Sequence, residues 1–180
     1  MARTVRRQAD RADRGPVLGP ALLADGRIVH LDRLTSVDAG ALREFYLALS
    51  AHTLFRRFMT PTSHLPEAML AYLCEAERLD REVLVARIQG VIVGEGRYHR
   101  VAGTADAEIA LVVADAWQGR GIGPILGERL ARLGRLRGVE AFTGSMLADN
   151  DHARKLLGSS APAALQRIRM GELEFRTPLP

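Results

Sequence analysis

The sequence predicts an α+β domain, a mixed sheet flanked by helices. Three observations carry that expectation. Ile109 to Ala114 (I-A-L-V-V-A) is a short, continuous apolar run rich in β-branched residues, too short for a typical helix and suited to a buried strand. Arg81 to Arg87 and Val91 to His99 are strand-like runs joined around Gln89-Gly90, the turn chemistry of a hairpin. Leu42, Phe45, Tyr46 and Leu49 recur at helical spacing, as do Ile122, Leu126, Leu130 and Leu133.

Composition bounds the answer. A chain of 180 residues with 47% hydrophobic content is long enough for one well-packed domain and short for two. The formal charge of +4 suits an anionic ligand and is no argument for nucleic acid. A lone Cys74 excludes an internal disulfide framework and fits a reducing cytoplasm. No apolar run approaches about 18 residues, so no membrane span is expected. The Arg-rich N-terminus lacks an apolar core behind it, which argues against a secretory signal. The expectation is a soluble cytoplasmic domain, monomer or homodimer, with no nucleic-acid or membrane partner.

In order, Met1 to about Pro20 carry five arginines and almost nothing large and apolar, so a disordered basic tail over residues 1–24 is expected. One domain follows over residues 25–180. Arg27 to Leu34 reads as its first strand. Thr35 and Asp38 form a variant capping box for the helix holding Leu42 to Leu49. A second helix has Leu54, Phe55 and Phe58 inside and Arg56 and Arg57 exposed, and Pro61 ends it. Ser63 and Pro66 open a third, with Met69, Leu70 and Leu73 on one face. The hairpin and a polar loop over residues 99–105 lead to the central strand from Glu108. After it, the helix from Ile122 tolerates Pro124 in its first turn. Its Gly127 and Gly134 each cost about 1 kcal/mol against alanine, which points to close packing on the sheet. Glu140 to Leu147 is the next strand. Asn150 caps a further helix, and Leu165 to Arg169 and Glu172 to Arg176 are two final strands.

The chemistry lies where the central strand meets Gly119, Gly121 and Gly123 and then a helix. The first N–H groups of a helix have no intrahelical partner, and the macrodipole favours an anion there. Glycines let the backbone approach it. Phosphate or pyrophosphate is the natural guest. No Lys follows as in a P-loop, and Leu126 stands where a dinucleotide fingerprint starting at Gly121 needs glycine. Gln118-Gly119-Arg120-Gly121-Ile122-Gly123 instead resembles the [QR]-x-x-G-x-[GA] pyrophosphate loop of the GNAT N-acetyltransferase superfamily. The element order matches that fold from about Asp25 to Leu179, and Leu31 to Thr35 with Phe55-Arg56-Arg57-Phe58 resembles bacterial members of the Pat type, which acetylate protein lysines.

The resemblance implies a GNAT acyl-CoA N-acyltransferase fold, with a central mixed, mostly antiparallel sheet. It implies acetyl-CoA as cosubstrate, an amine acceptor and direct transfer in a ternary complex. Gln118, Gly119, Arg120, Gly121, Ile122 and Gly123 hold the pyrophosphate. Asn150 contacts the pantetheine arm, and Glu108 occupies the position of a catalytic glutamate. Many members have a tyrosine that protonates the leaving thiolate; here that region reads Lys155-Leu156-Leu157, with Leu157 at the matching place. The residues agree with the family chemistry. An ammonium acceptor is not nucleophilic until a base takes its proton, and Glu108 stands between Ala107 and Ile109. A salt bridge to Arg97 on the neighbouring strand is the bland alternative for Glu108. Backbone N–H groups of Leu111, Val112 and Val113 are candidates to hold the thioester carbonyl, in the manner of an oxyanion hole. Tyr46, Phe55 and Phe58 are core candidates that also suit an acceptor pocket. The five histidines show no metal-ligand spacing, and no metal is expected. Two other functions stay open: a non-catalytic acyl-CoA-binding or regulatory module, and transfer to a small-molecule amine.

Overall fold

A computed structural model describes residues 18–61, 65–75, 80–161 and 164–179. Residues 1–17, where most of the basic tail is expected, and Ser63 lie outside them. Among the described residues eight strands form one sheet: β1 (Gly19–Leu22), β2 (Ile28–Arg33), β3 (Arg81–Ile88), β4 (Val91–Arg100), β5 (Asp106–Val113), β6 (Ala141–Leu147), β7 (Leu165–Arg169) and β8 (Glu172–Pro178). Their spatial order is β1-β2-β3-β4-β5-β6-β8-β7. Every neighbouring pair is antiparallel except β5 with β6, which is parallel. The expected mixed, mostly antiparallel sheet is present.

The helices are α1 (Ala39–Leu47), α2 (Ala51–Phe58), α3 (Glu67–Cys74), α4 (Ile122–Leu136) and α5 (Asp151–Ser160). The capping box holds: Thr35 N–H donates to Asp38 Oδ2 at 2.9 Å, starting a 3₁₀ turn that feeds α1. On α4, Ile122, Leu126, Leu130 and Leu133 are buried against Leu84, Ala86 and Tyr98 of the sheet. Gly134 is needed for close approach, because a Cβ there would lie 3.2 Å from Leu179. Gly127 is not so pressed; its Cβ would meet Leu111 at an ordinary 3.7 Å. On the opposite face, Leu42, Phe45, Tyr46 and Leu49 pack with Leu70, Leu73, Val83 and Val85. The hairpin turn is as expected, with positive φ at both Gln89 and Gly90.

Several expectations need correction. Gly19–Leu22 belongs to the sheet as β1, paired with β2, so ordered structure begins ahead of the expected boundary at residue 25. β5 starts at Asp106 rather than Glu108. Met69 is exposed although Leu70 and Leu73 beside it are buried. Tyr46 is core, as expected: its hydroxyl donates to Glu95 Oε2 at 2.8 Å, and Arg97 Nε donates to the other oxygen at 2.6 Å. Glu95 is completely buried, a charge that survives in the interior because both its oxygens are paired. Burial, then the neighbouring Glu95 charge, push the Tyr46 phenol well above its ordinary pKa. Tyr46→Phe is expected to cost about 1.5–3 kcal/mol, the worth of a hydrogen bond to a charged group, measured by urea unfolding.

Candidate active site

The parallel pairing of β5 with β6 is brief. It joins Asp106 to Ala141, Ala107 to Phe142 and Glu108 to Thr143. Beyond that pair β5 runs on to Val113 and β6 to Leu147 with no further pairing, so the strands part and leave a gap. The N–H and C=O of a strand residue point to one neighbour, and those of the next residue to the other. Ala114 N–H bonds to Val93 of β4, whereas the Val113 carbonyl accepts from Gln118 Nε2 at 3.1 Å, away from β4. The alternation therefore turns the backbone of Leu111 and Val113 into the gap and that of Val112 towards β4. An unpaired edge inside a sheet is a docking rail for a chain with amide groups of its own.

The glycine loop closes the open end. After the 3₁₀ turn Asp115–Trp117, φ is +73° at Gly119 and +93° at Gly121, a region that penalises any residue with a Cβ. α4 then begins with no capping side chain, so the N–H groups of Ile122 and Gly123 stand free of intrahelical partners. Together these elements and α5 wall a cavity of about 510 Å³. Leu111, Val112, Val113, Gln118, Gly119, Gly121, Ile122, Gly123 and Asn150 all line it. Arg120 does not. Its guanidinium turns to Asp25 at 3.2 Å and the Ala116 carbonyl at 3.2 Å, and lies over the Trp117 ring. Asn150 is the expected N-cap of α5, its Oδ1 accepting from Ala153 N–H at 3.2 Å, and it also lines the cavity. Leu156 faces the cavity, while Leu157 is buried with Met146 and Leu173. Neither can give a proton.

Glu108 sits at the last pair before the strands part. It is exposed, and the alternative bridge to Arg97 is absent. Arg97 is occupied by Glu95 and the Leu73 carbonyl. Glu108 instead stands opposite His99 on β4 and Thr143 on β6, facing the side of the sheet that carries α1–α3.

Helix α2 crosses the gap on that side, touching both β5 and β6. Its N-terminus is latched to the glycine loop. The Asp115 carboxylate accepts from Ser50 N–H at 3.0 Å, Ser50 Oγ at 2.6 Å and Thr53 Oγ1 at 2.7 Å, and Gln118 Nε2 donates to Thr53 Oγ1 at 3.1 Å. Its other end reaches β6, where Ser145 Oγ meets Met59 Sδ at 4.0 Å. Arg56 and Arg57, expected on an exposed face, are half-buried and line the cavity. Burial pushes the Asp115 pKa up, but the hydrogen bonds from Ser50 and Thr53 outweigh it and hold the carboxyl below its usual range. A depressed carboxyl stabilises the fold above its ordinary pKa and loses that contribution as pH falls through the lowered value. Asp115→Asn is expected to lower Tm by about 2–4 °C at neutral pH. The gap between the two Tm curves should begin to narrow near pH 3.9 and close only once the pH has fallen through the lowered value, as thermal melts across pH would show.

These features coincide with what comparison finds. The profile of the acetyltransferase (GNAT) family matches residues 48–159. The chain belongs to that family. The matched region spans α2, the splayed strands, the glycine loop and most of α5. Over 114 residues the chain is 36% identical to acetyltransferase Pat of Mycolicibacterium smegmatis, taking in 60% of this chain and 33% of that protein. It thus spans about a third of that relative's length. The GNAT domain of S. lividans PAT superposes with a TM-score of 0.83 at 27% identity, over 91% of this chain and 97% of that one. The yncA protein of Salmonella typhimurium, solved with its cofactor acetyl-CoA, shares the fold at a TM-score of 0.67 and 20% identity, over 84% of this chain and 94% of that one. This family uses acetyl-CoA. Among the described residues, no helix is long and apolar enough to cross a membrane, and no group of His, Cys, Asp and Glu is arranged to hold a metal ion.

Proposed function

We propose that this chain is an N-acetyltransferase that moves the acetyl group of acetyl-CoA directly to a primary amine, with Glu108 as general base. The observation that carries the reading is the parting of β5 and β6 at Glu108, beside a glycine loop with left-handed turns at Gly119 and Gly121. The free N–H groups at the start of α4 would take the pyrophosphate. The inward-turned backbone of Leu111 and Val113 would pair with the pantetheine amides and orient the thioester carbonyl. Asn150 would contact the same arm.

The reaction then needs little else. Glu108 removes a proton from the acceptor ammonium, and the freed amine attacks the thioester carbonyl. The tetrahedral intermediate gives up a second nitrogen proton to water as it collapses to amide and thiolate. With an ordinary thiol pKa of about 8.5, the thiolate takes its proton from water, since neither Leu156 in the cavity nor Leu157 at the tyrosine position can supply one. A protein lysine is the acceptor we favour, on the resemblance to Pat-type domains. An exposed Glu108 at an open edge of the cleft is compatible with a bulky substrate. The reading is tested by thiol release from acetyl-CoA over a panel of lysine-containing proteins and small amines. Amine-dependent release on proteins supports it, and release on small amines alone moves the acceptor to a metabolite. Tight calorimetric binding of acetyl-CoA with no release across the panel would instead mark a non-catalytic acyl-CoA-binding module.

A further inference from the structure

Beside Glu108 lies a chain of groups that this reaction has not used. His99 is the residue of β4 directly opposite Glu108, and directly opposed residues project to the same face of a sheet with Cβ atoms about 4.5–5.5 Å apart. The His99 ring is held at both nitrogens: Nε2 lies 2.9 Å from Asp80 Oδ2, and Nδ1 lies 3.4 Å from the Tyr72 hydroxyl. A carboxylate cannot donate, so the network assigns the neutral ring its proton on Nε2, leaving Nδ1 as the acceptor. This is a histidine fixed in one tautomer by a carboxylate, with its basic nitrogen available to a proton. The longer contact to Tyr72 is the one a water can replace.

We propose that His99, oriented by Asp80, is the outlet through which Glu108 discharges the proton it takes from the acceptor amine; the proposal rests on Glu108 being the base. In the free protein Glu108 is exposed and needs no help. With a thioester in the gap and a protein acceptor over it, bulk water is displaced from that position. Thr143, its other neighbour, has its hydroxyl turned to the Ala107 carbonyl at 3.4 Å and is no base. The open side is then β4. The proton leaves the Glu108 carboxyl through a water and binds His99 Nδ1. The resulting imidazolium lies beside the Asp80 carboxylate and returns the proton to solvent, since Asp80 and Tyr72 are both partly exposed. No bond other than O–H and N–H is made or broken.

The charges around the ring fit a transient imidazolium. Asp80, in the turn before β3, and Glu108 on β5 favour it. Arg81, directly opposite His99 on β3, opposes it. The Arg81 guanidinium is drawn off to the Glu75 carboxylate at 3.1 Å and lies over the Tyr72 ring. Tyr72, on α3, contributes a neutral hydroxyl.

His99→Gln tests this, because Gln keeps a polar side chain and cannot carry the proton. With a lysine-containing peptide as acceptor, kcat is expected to fall about 10-fold or more, short of the full worth of a general base. KM for acetyl-CoA should stay within about 2-fold, the ascending limb of the pH–rate profile should change, and added imidazole should restore turnover. With n-propylamine, which leaves Glu108 open to water, the loss should be less than about 3-fold. Asp80→Asn should reproduce the pattern more weakly. Wild-type kcat and pH profile in folded His99→Gln, or equal loss on both acceptors untouched by imidazole, would overturn the outlet. Glu108→Gln separates the two readings. If it turns over normally, the base assignment itself fails. If it is inactive while His99→Gln is normal, only the outlet fails. A second readout needs no acceptor: the ¹⁵N signals of the His99 ring in the CoA-bound protein should change their pH dependence on Glu108→Gln, and unchanged signals would also overturn the proposal.

Discussion

Gly121→Val is expected to abolish measurable binding of coenzyme A while the domain stays folded. Two effects act together. Gly121 has φ of +93°, and a Cβ added there would meet nothing within 4 Å, so the substitution brings backbone strain and no steric clash within the protein. A β-branched residue held in that region costs about 1–3 kcal/mol. The loop escapes by changing its path, which takes the N–H groups of Ile122 and Gly123 away from a common anion. The added isopropyl group would also stand between backbone and phosphate. A ligand held mainly by backbone groups loses its site when they no longer converge, and calorimetric titration with coenzyme A reads the loss. Gly123→Val is a contrast, since its φ is ordinary and its Cβ would touch only Leu156 at 3.5 Å. Its effect on binding should come from occlusion alone and leave stability closer to the wild type.

Glu108→Gln is expected to lower kcat by about 10²–10⁴-fold, the contribution typical of a general base, with little change in affinity for acetyl-CoA. Gln preserves the shape and most hydrogen bonding of the carboxylate but cannot take the proton. A purely structural role predicts the opposite division, reduced stability and near-normal turnover of the folded protein. Glu108 is exposed and has no ion pair to Arg97, so the substitution should leave unfolding almost unchanged, within the roughly 0.5 kcal/mol usual for surface sites. Steady-state rates and a denaturation curve on the same sample distinguish the two.

Much of this is legible in the residues, for reasons that are local. The stripe Ile122, Leu126, Leu130, Leu133 buries one face of a helix, and a 3.6-residue period is visible in any chain that does so. Gln89-Gly90 and the loop glycines announce left-handed backbone through residue type. β1 is hidden because Gly19-Pro20-Ala21-Leu22 has no β-branched residue and owes its form to pairing with β2. Arg56 and Arg57 look exposed from their charge. Their place in the cavity depends on α2 lying across the gap, which the Asp115 latch and not the helix pattern decides. Glu95 and Arg97, in the run G-E-G-R, look like the polar face of a strand. They are buried because α1 and α3 cover that face and satisfy both charges, a tertiary circumstance no local pattern carries. The parting of β5 from β6 is equally silent in the sequence, although strand and loop chemistry point to Leu111 to Val113 on its rim and the family resemblance points to Glu108.

In the proposed function, the gap between β5 and β6, closed by the glycine loop, holds the acyl-CoA with its thioester near Glu108. A crystal structure of the protein with coenzyme A tests it most directly. The pyrophosphate is expected against the backbone N–H groups of Gly119 to Gly123, the pantetheine amides paired with Leu111 and Val113, and the sulfur on the Glu108 side of the gap. Coenzyme A bound elsewhere, or lying in the gap with its sulfur directed away from Glu108, would contradict it.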